Sequence, residues 1–138
     1  MPELPEVETI RRGLEQNILH KKIVEIAAEK SFQKKLSPKY GKFIDLLEGN
    51  TFQSIGRRSK LLIFEINENL FLLIHLKMTG QLIYRLSRGK TISGGHPIPK
   101  QAELPSKFTR VQFVFGDKSR LFFNDVRKFG FLKFVDKK

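Results

Sequence analysis

Apolar residues recur at helical spacing near the start of the chain. Val7, Ile10, Leu14 and Ile18 fall on one face, which predicts a helix over residues 5 to about 19. Pro5 suits its first turn, and Glu6 and Glu8 suit the positive end of its dipole. Ser37-Pro38 predicts a second helix start, with serine as N-cap and proline at the first helical position. Phe43, Ile44 and Leu47 would form its buried face, and Gly49 its stop. Much of the remainder reads as strands: residues 22–28, 61–66, 70–76, 81–86, 109–115, 120–124 and 131–135. Asn67-Glu68-Asn69 and Gly116-Asp117-Lys118 are turn signals between apolar runs and predict hairpins. The pattern predicts a mostly β chain with two α-helices, an antiparallel β-sandwich with the helices at its edge. Residues 87–107 differ. They hold Gly89, Gly94, Gly95, Pro97, Pro99 and Pro105 with few periodic apolar positions, and predict one long loop, a length often tied to function.

Composition fits that sandwich. The 138 residues are the size of a single domain and are 40% hydrophobic. Thirteen of the fifteen aromatics are Phe, which fills a dry sheet core without a polar end to satisfy. Charge adds a partner: 26 Lys and Arg against 14 Asp and Glu give a net +12, and a domain this basic usually meets a polyanion. The bland explanation is a generally basic proteome. With no cysteine there is no disulfide framework and no cysteine-type zinc site, and three scattered histidines do not make a metal cluster. No apolar run approaches the ~20 residues of a membrane span, and no signal-peptide pattern is visible. A cytoplasmic monomer with no membrane partner is expected.

The N-terminus offers chemistry. Read alone, Met1-Pro2-Glu3-Leu4-Pro5-Glu6-Val7-Glu8-Thr9 is an acidic helix start with two entry prolines. Removal of Met1 would expose a secondary α-amine at Pro2. An α-amine has a pKa of ~7.7–8.0, so roughly a tenth is neutral at pH 7, far more than for lysine. The helix dipole would lower that pKa, while Glu3 and Glu6 would raise it. A secondary amine condensing with a sugar carbon gives an iminium that is positive without a proton, an electron sink for eliminating a neighbouring phosphate. A carboxyl next door could act as general acid on the ring oxygen. If Met1 stays, the Pro2 nitrogen is an amide and cannot attack.

These residues carry a specific resemblance. Pro2-Glu3-Leu4-Pro5-Glu6-Val7-Glu8-Thr9 resembles the opening of the formamidopyrimidine-DNA glycosylases, bacterial base-excision repair enzymes. Leu4, where the related endonuclease VIII branch typically has Gly, favours the branch acting on oxidised purines, 8-oxoguanine and formamidopyrimidines. The resemblance implies Pro2 as Schiff-base nucleophile, Glu3 as proton donor and Glu6 as a supporting carboxylate. It implies both glycosylase and abasic-site lyase activity on double-stranded DNA containing oxidised bases or abasic sites.

Other positions match in turn. Arg57-Arg58-Ser59-Lys60, alone a solvated basic turn, is similar to an Arg-Arg-x-Lys run whose lysine reaches the active site and a phosphate, a role this implies for Lys60. His75-Leu76-Lys77-Met78-Thr79-Gly80 resembles a His-Leu-Gly-Met-Ser-Gly element. There the histidine binds phosphate and the methionine fills the space of the extruded base, implying those roles for His75 and Met78. Alone, the first would be a structural histidine and the second core. Lys77 replaces the commoner Gly and brings a Cβ. Asp125-Val126-Arg127-Lys128-Phe129-Gly130 resembles an Asp-Pro-Arg-Arg-Phe-Gly loop, implying that Arg127 pairs with the orphaned base and Phe129 wedges beside it. Lys107-Phe108-Thr109-Arg110-Val111 aligns with Lys-His-Asp-His-Val. Phe108 departs from the DNA-contacting histidine there, and Arg110 is the fallback phosphate ligand.

The resemblance covers the whole sequence but half of the family's length. It implies a single N-terminal catalytic domain, 1–138, without the helix–two-turns–helix module and four-cysteine zinc finger of the other half. No cofactor is expected in these residues; one zinc ion is expected in that other half. Such a fragment should turn over duplex DNA weakly or not at all. Two other classes remain: a non-catalytic basic nucleic-acid-binding module, and a small structural or ribosome-associated basic protein.

Overall fold

The computed structural model describes residues 4–67, 69–77, 79–86, 91–95 and 104–136. Two helices and two sheets account for the fold of these residues. The first helix, α1 (Leu4–Asn17), buries Val7, Ile10 and Leu14 on one stripe, as their spacing predicts. Strand β1 (Ile23–Ala28) follows, then a 3-10 helix (Lys30–Lys35), a two-residue strand β2 (Leu36–Ser37) and helix α2 (Tyr40–Leu47). Next come β3 (Ser54–Arg58), β4 (Leu61–Asn67), β5 (Leu70–His75), β6 (Gly80–Arg85) and β7 (Thr91–Gly95). The last three are β8 (Thr109–Phe115), β9 (Arg120–Asp125) and β10 (Phe131–Asp136).

The strands form two five-stranded sheets, ordered β1-β8-β9-β6-β7 and β2-β10-β5-β4-β3. All pairings are antiparallel except β10 with β2. Alternation along β4 turns Leu62, Phe64 and Ile66 inward, and along β5 it does the same for Leu72 and Ile74. The central β9 is buried from Leu121 to Asp125, so its apolar run has no exposed face. Phe52, outside any strand, plugs the space between the sheets. Its ring lies 5.0 Å from Phe64 in one sheet, and 6.3 and 6.4 Å from Phe113 and Phe115 in the other.

Each helix closes one open side of the sandwich. α1 packs on β3 and β7, the terminal strands of the two sheets on one side, and α2 packs on β2 and β1 on the other. Covering sheet edges in this way removes sites for unwanted strand addition. No helix among the described residues is long and apolar enough to cross a membrane.

Two sequence expectations need correction. The second helix starts at Tyr40, with Lys39 as N-cap and no side-chain cap, not at Ser37-Pro38. Ser37 instead pairs with Lys133 as part of β2; a residue before proline is steered to extended backbone. The 87–107 segment is not all loop, because Thr91–Gly95 pairs with β6 as β7. Its glycines hid the strand, and the register is supplied by the partner. Residues 87–90 and 96–103 lie outside the described residues. The short β2 and β3, and the 3-10 helix, were not foreseen.

Candidate functional site

Three connections meet at one end of the sandwich. The first is the turn from β3 to β4. Ser59 sits at φ 54°, and the Arg57 Nη1 donates to the Ser59 carbonyl at 3.1 Å. Lys60 follows, half-buried, and the next residue, Leu61, pairs with His75 across β4 and β5.

α1 is aligned with this end by arginine contacts. Arg57 Nε donates to Glu8 Oε1 at 2.6 Å, while one turn later Arg11 Nη1 donates to the Ile55 carbonyl at 3.0 Å. Going back along the helix from 11 to 8, the partner advances along β3 from 55 to 57. The N-terminal end of α1, with half-buried Glu6 in its first turn, is therefore directed toward the Ser59–Lys60 turn. Glu8 also accepts from Arg11 Nε and Nη2 and from Arg12 Nε. Arg11, Arg57 and Arg12, in that order, hold its carboxyl far below the usual carboxylate range.

The second connection runs from β5 to β6. His75 Nδ1 accepts the Lys77 backbone N–H at 2.9 Å, so the imidazole proton sits on Nε2. Burial, then the charges of Lys77 and Lys60, push the His75 pKa down. The ring keeps Nε2 as its donor, and its centroid lies 5.7 Å from that of Phe131 with the two planes tilted by 39°. Lys77 adopts φ 52°, the left-handed region where glycine is easiest to accommodate, and its ammonium lies 5.6 Å from the Phe131 ring. Gly80 closes the turn by donating to the Leu76 carbonyl at 2.8 Å; a Cβ there would lie 2.4 Å from that same oxygen.

The third connection runs from β9 to β10 and carries the exposed groups. Asp125, fully buried, accepts a short hydrogen bond from Thr79 Oγ1 and another from the Gly130 N–H at 2.7 Å. Its carboxylate thus joins the second connection to the third. Thr79 Oγ1 in turn accepts the Arg127 N–H at 3.2 Å. Gly130 packs so closely that a Cβ would lie 2.7 Å from the His75 carbonyl. Held this way, Val126 and Phe129 are 54% and 49% exposed, and the Arg127 guanidinium lies 5.6 Å over the Phe129 ring. An exposed apolar ring beside an arginine fork is suited to entering a base stack and reading a base edge.

The structure thus brings Lys60, His75, Arg127 and Phe129 to one end, with Glu6 on the helix directed there. Pro2, Glu3 and Met78 lie outside the described residues. Arg110 is a correction. It is only 6% exposed, and its guanidinium is committed to Glu29 Oε2 at 2.6 Å, the Asp125 carbonyl at 2.8 Å and the Val126 carbonyl at 3.3 Å. It supports the loop from behind instead of facing a phosphate. Phe108 is half-buried under the Lys107 ammonium, 5.1 Å from the ring. Sequence reasoning gave no role to Asp125 or Thr79, and read Glu8 only as an acid matching the helix dipole. The available signal was an aspartate closing an apolar strand ahead of a turn.

Residues 1–132 match the family model described as the formamidopyrimidine-DNA glycosylase N-terminal domain. A formamidopyrimidine-DNA glycosylase of Ligilactobacillus salivarius is 39% identical over 135 residues, 98% of this chain and 43% of that protein. One from Lactococcus lactis is 42% identical over 130 residues, 94% of this chain and 42% of that protein. The chain therefore spans under half the length of the curated relatives it matches. The solved complex of the Lactococcus lactis protein with DNA containing an abasic site superposes with a TM-score of 0.79 at 32% identity. That match covers 98% of this chain and 44% of the other. A complex of the same protein with DNA containing Fapy-dG gives the same TM-score, 0.79.

Proposed function

The chain belongs to the formamidopyrimidine-DNA glycosylase family, and on that premise we propose that it forms the catalytic and lesion-probing half of a base-excision repair enzyme. The substrate is double-stranded DNA with an oxidised purine or an abasic site. The observation that carries this reading is convergence. Lys60, His75, Arg127 and Phe129 lie on three separate connections, yet they share one end of the sandwich, toward which the start of α1 is directed. Similarity to a protein solved on abasic-site and Fapy-dG DNA supports the choice of partner.

The chemistry needs the nucleotide out of the stack. Phe129 and Met78 fill the gap, and Arg127 pairs with the orphaned base. His75 donates from Nε2, and Lys60 supplies a point charge, to the flanking phosphates. The lone pair of the Pro2 nitrogen attacks the anomeric carbon, and the damaged base leaves with the electron pair of its glycosidic bond and gains a proton. The amine proton is lost. Glu3, with Glu6 in support, protonates the sugar ring oxygen as the ring opens, leaving an iminium. Loss of the C2′ proton feeds that sink and expels the 3′ phosphate. A second elimination expels the 5′ phosphate, and water hydrolyses the adduct to free Pro2.

The chain has no cysteine, and among the described residues no group of three or more His, Asp and Glu is placed to hold a metal ion. The resemblance implies a zinc ion only in the half of the family that this sequence does not match. The 138 residues alone should bind DNA in a salt-sensitive way and turn over weakly.

The test uses the protein as its gene encodes it, after intact mass shows that Met1 has gone. It should release formamidopyrimidine bases from duplex DNA and nick the strand. Pro2→Gly should lower release by at least about a hundredfold, the scale for an activated nucleophile's misplacement. Tight DNA binding with no release despite an open Pro2 amine would contradict the reading and favour a non-catalytic binding module.

A further inference from the structure

The loop that presents Arg127 and Phe129 has a second set of anchors besides the Asp125 carboxylate. Arg110, on β8, donates to the carbonyls of Asp125 and Val126 and to Glu29. Glu29 stands between β1 and the 3-10 helix, where its own N–H donates to the Arg110 carbonyl at 2.8 Å. Its carboxylate also accepts from Ser31 Oγ and lies 3.4 Å from the Lys128 ammonium. Lys128 Nζ donates to Ser31 Oγ at 2.7 Å. The loop is thus held at its root by Arg110 and near its tip by Lys128, and one carboxylate holds both cations.

The pattern of partners is informative. Arg110 is buried, so its charge requires an anion, and Glu29 provides it. Lys128 adopts φ 58°, a backbone state costly for a side-chain-bearing residue unless its surroundings fix it. It is followed directly by Phe129 and preceded by Arg127. A residue pinned in that state fixes the directions in which its two neighbours leave the loop.

We propose that Glu29, with Ser31, Arg110 and Lys128, is a positioning device that sets where Arg127 and Phe129 are presented, and so determines how well the protein distinguishes a site lacking a base from intact duplex. This rests on the DNA-repair reading above. The device touches neither sugar nor base. Its members act through the loop.

Charge separates this role from simple electrostatics. Glu29→Gln removes one negative charge from a protein of net +12. Through electrostatics alone, DNA binding should tighten equally on every duplex. Through misplacement of the loop, only the preference should fall.

The experiment measures Kd, by fluorescence anisotropy at one fixed salt concentration, of the protein as its gene encodes it. One duplex carries a tetrahydrofuran abasic analogue opposite cytosine, and the other is intact. For Glu29→Gln, intact-duplex affinity should stay level or rise, while the abasic-to-intact preference should fall about fivefold or more. That is the low end of what a misplaced bidentate base contact costs. Ser31→Ala, which leaves the Arg110–Glu29 pair in place, should lower the preference in the same direction by less. A preference unchanged in both variants would overturn the proposal. So would a parallel loss on both duplexes, the mark of a merely structural residue. A parent protein that binds the two duplexes alike would overturn the DNA-repair reading itself, and this inference with it.

Discussion

Asp125 joins two connections with two oxygens, one to Thr79 and one to the Gly130 N–H. Both oxygens accept, and both partners donate. An amide in its place keeps one acceptor, for the Gly130 N–H, and turns an NH2 to Thr79 Oγ1, whose own O–H then loses the acceptor it had. Asp125→Asn should therefore destabilise the fold by about 1–3 kcal/mol, read as a lower denaturant midpoint with unchanged slope. An unchanged midpoint would mean that the carboxylate is not holding the connections together. Individual residues were also where the sequence was least legible. Lys60, His75, Arg127 and Phe129 could be proposed because each stands in a recognisable run. Arg110 stood in such a run as well, but its burial depends on Glu29, eighty-one positions away in the chain. Glu8 looked like one of two dipole-matching acids; its ties to Arg57 follow from packing of α1 on β3, which no local pattern announces.

Elements with strong periodicity were read nearly to the residue. β8 matches its expected span, Thr109–Phe115, and β4 and β9 each run one residue further. Alternation is the direct imprint of one buried face, so these strands declare themselves. β3 does not, because Ser54–Arg58 carries Ile55 as its one apolar side chain, and it owes its place to β4 and α1. β2 is two residues long, and β7 is rich in glycine; both are defined by their partners. The core residue Phe52 makes the same point from the inside. It belongs to no strand, yet it contacts rings from both sheets. Phe52→Ala should cost about 3–5 kcal/mol in denaturant unfolding, as for a large buried ring removed from a packed centre. A cost below about 1 kcal/mol would mean that the inter-sheet space collapses around the gap.

At the scale of the molecule, the two sheets are joined by connections that also carry the candidate chemistry. The β5–β6 and β9–β10 connections each pass from one sheet to the other, and the β3–β4 turn lies beside them. A sandwich braced along its sides by α1 and α2 leaves this end open to present His75, Arg127 and Phe129, while the net +12 favours a polyanionic partner. What gives that end a reaction, on the proposed function, is a free nitrogen at Pro2, two residues ahead of α1 in the sequence. Borohydride reduction of the Met-processed, gene-encoded protein mixed with abasic-site DNA, followed by peptide mapping of the trapped product, tests this most directly. The predicted result is a covalent adduct on Pro2. An adduct on a lysine with Pro2 unmodified, or none at all while the DNA is still nicked, would contradict it.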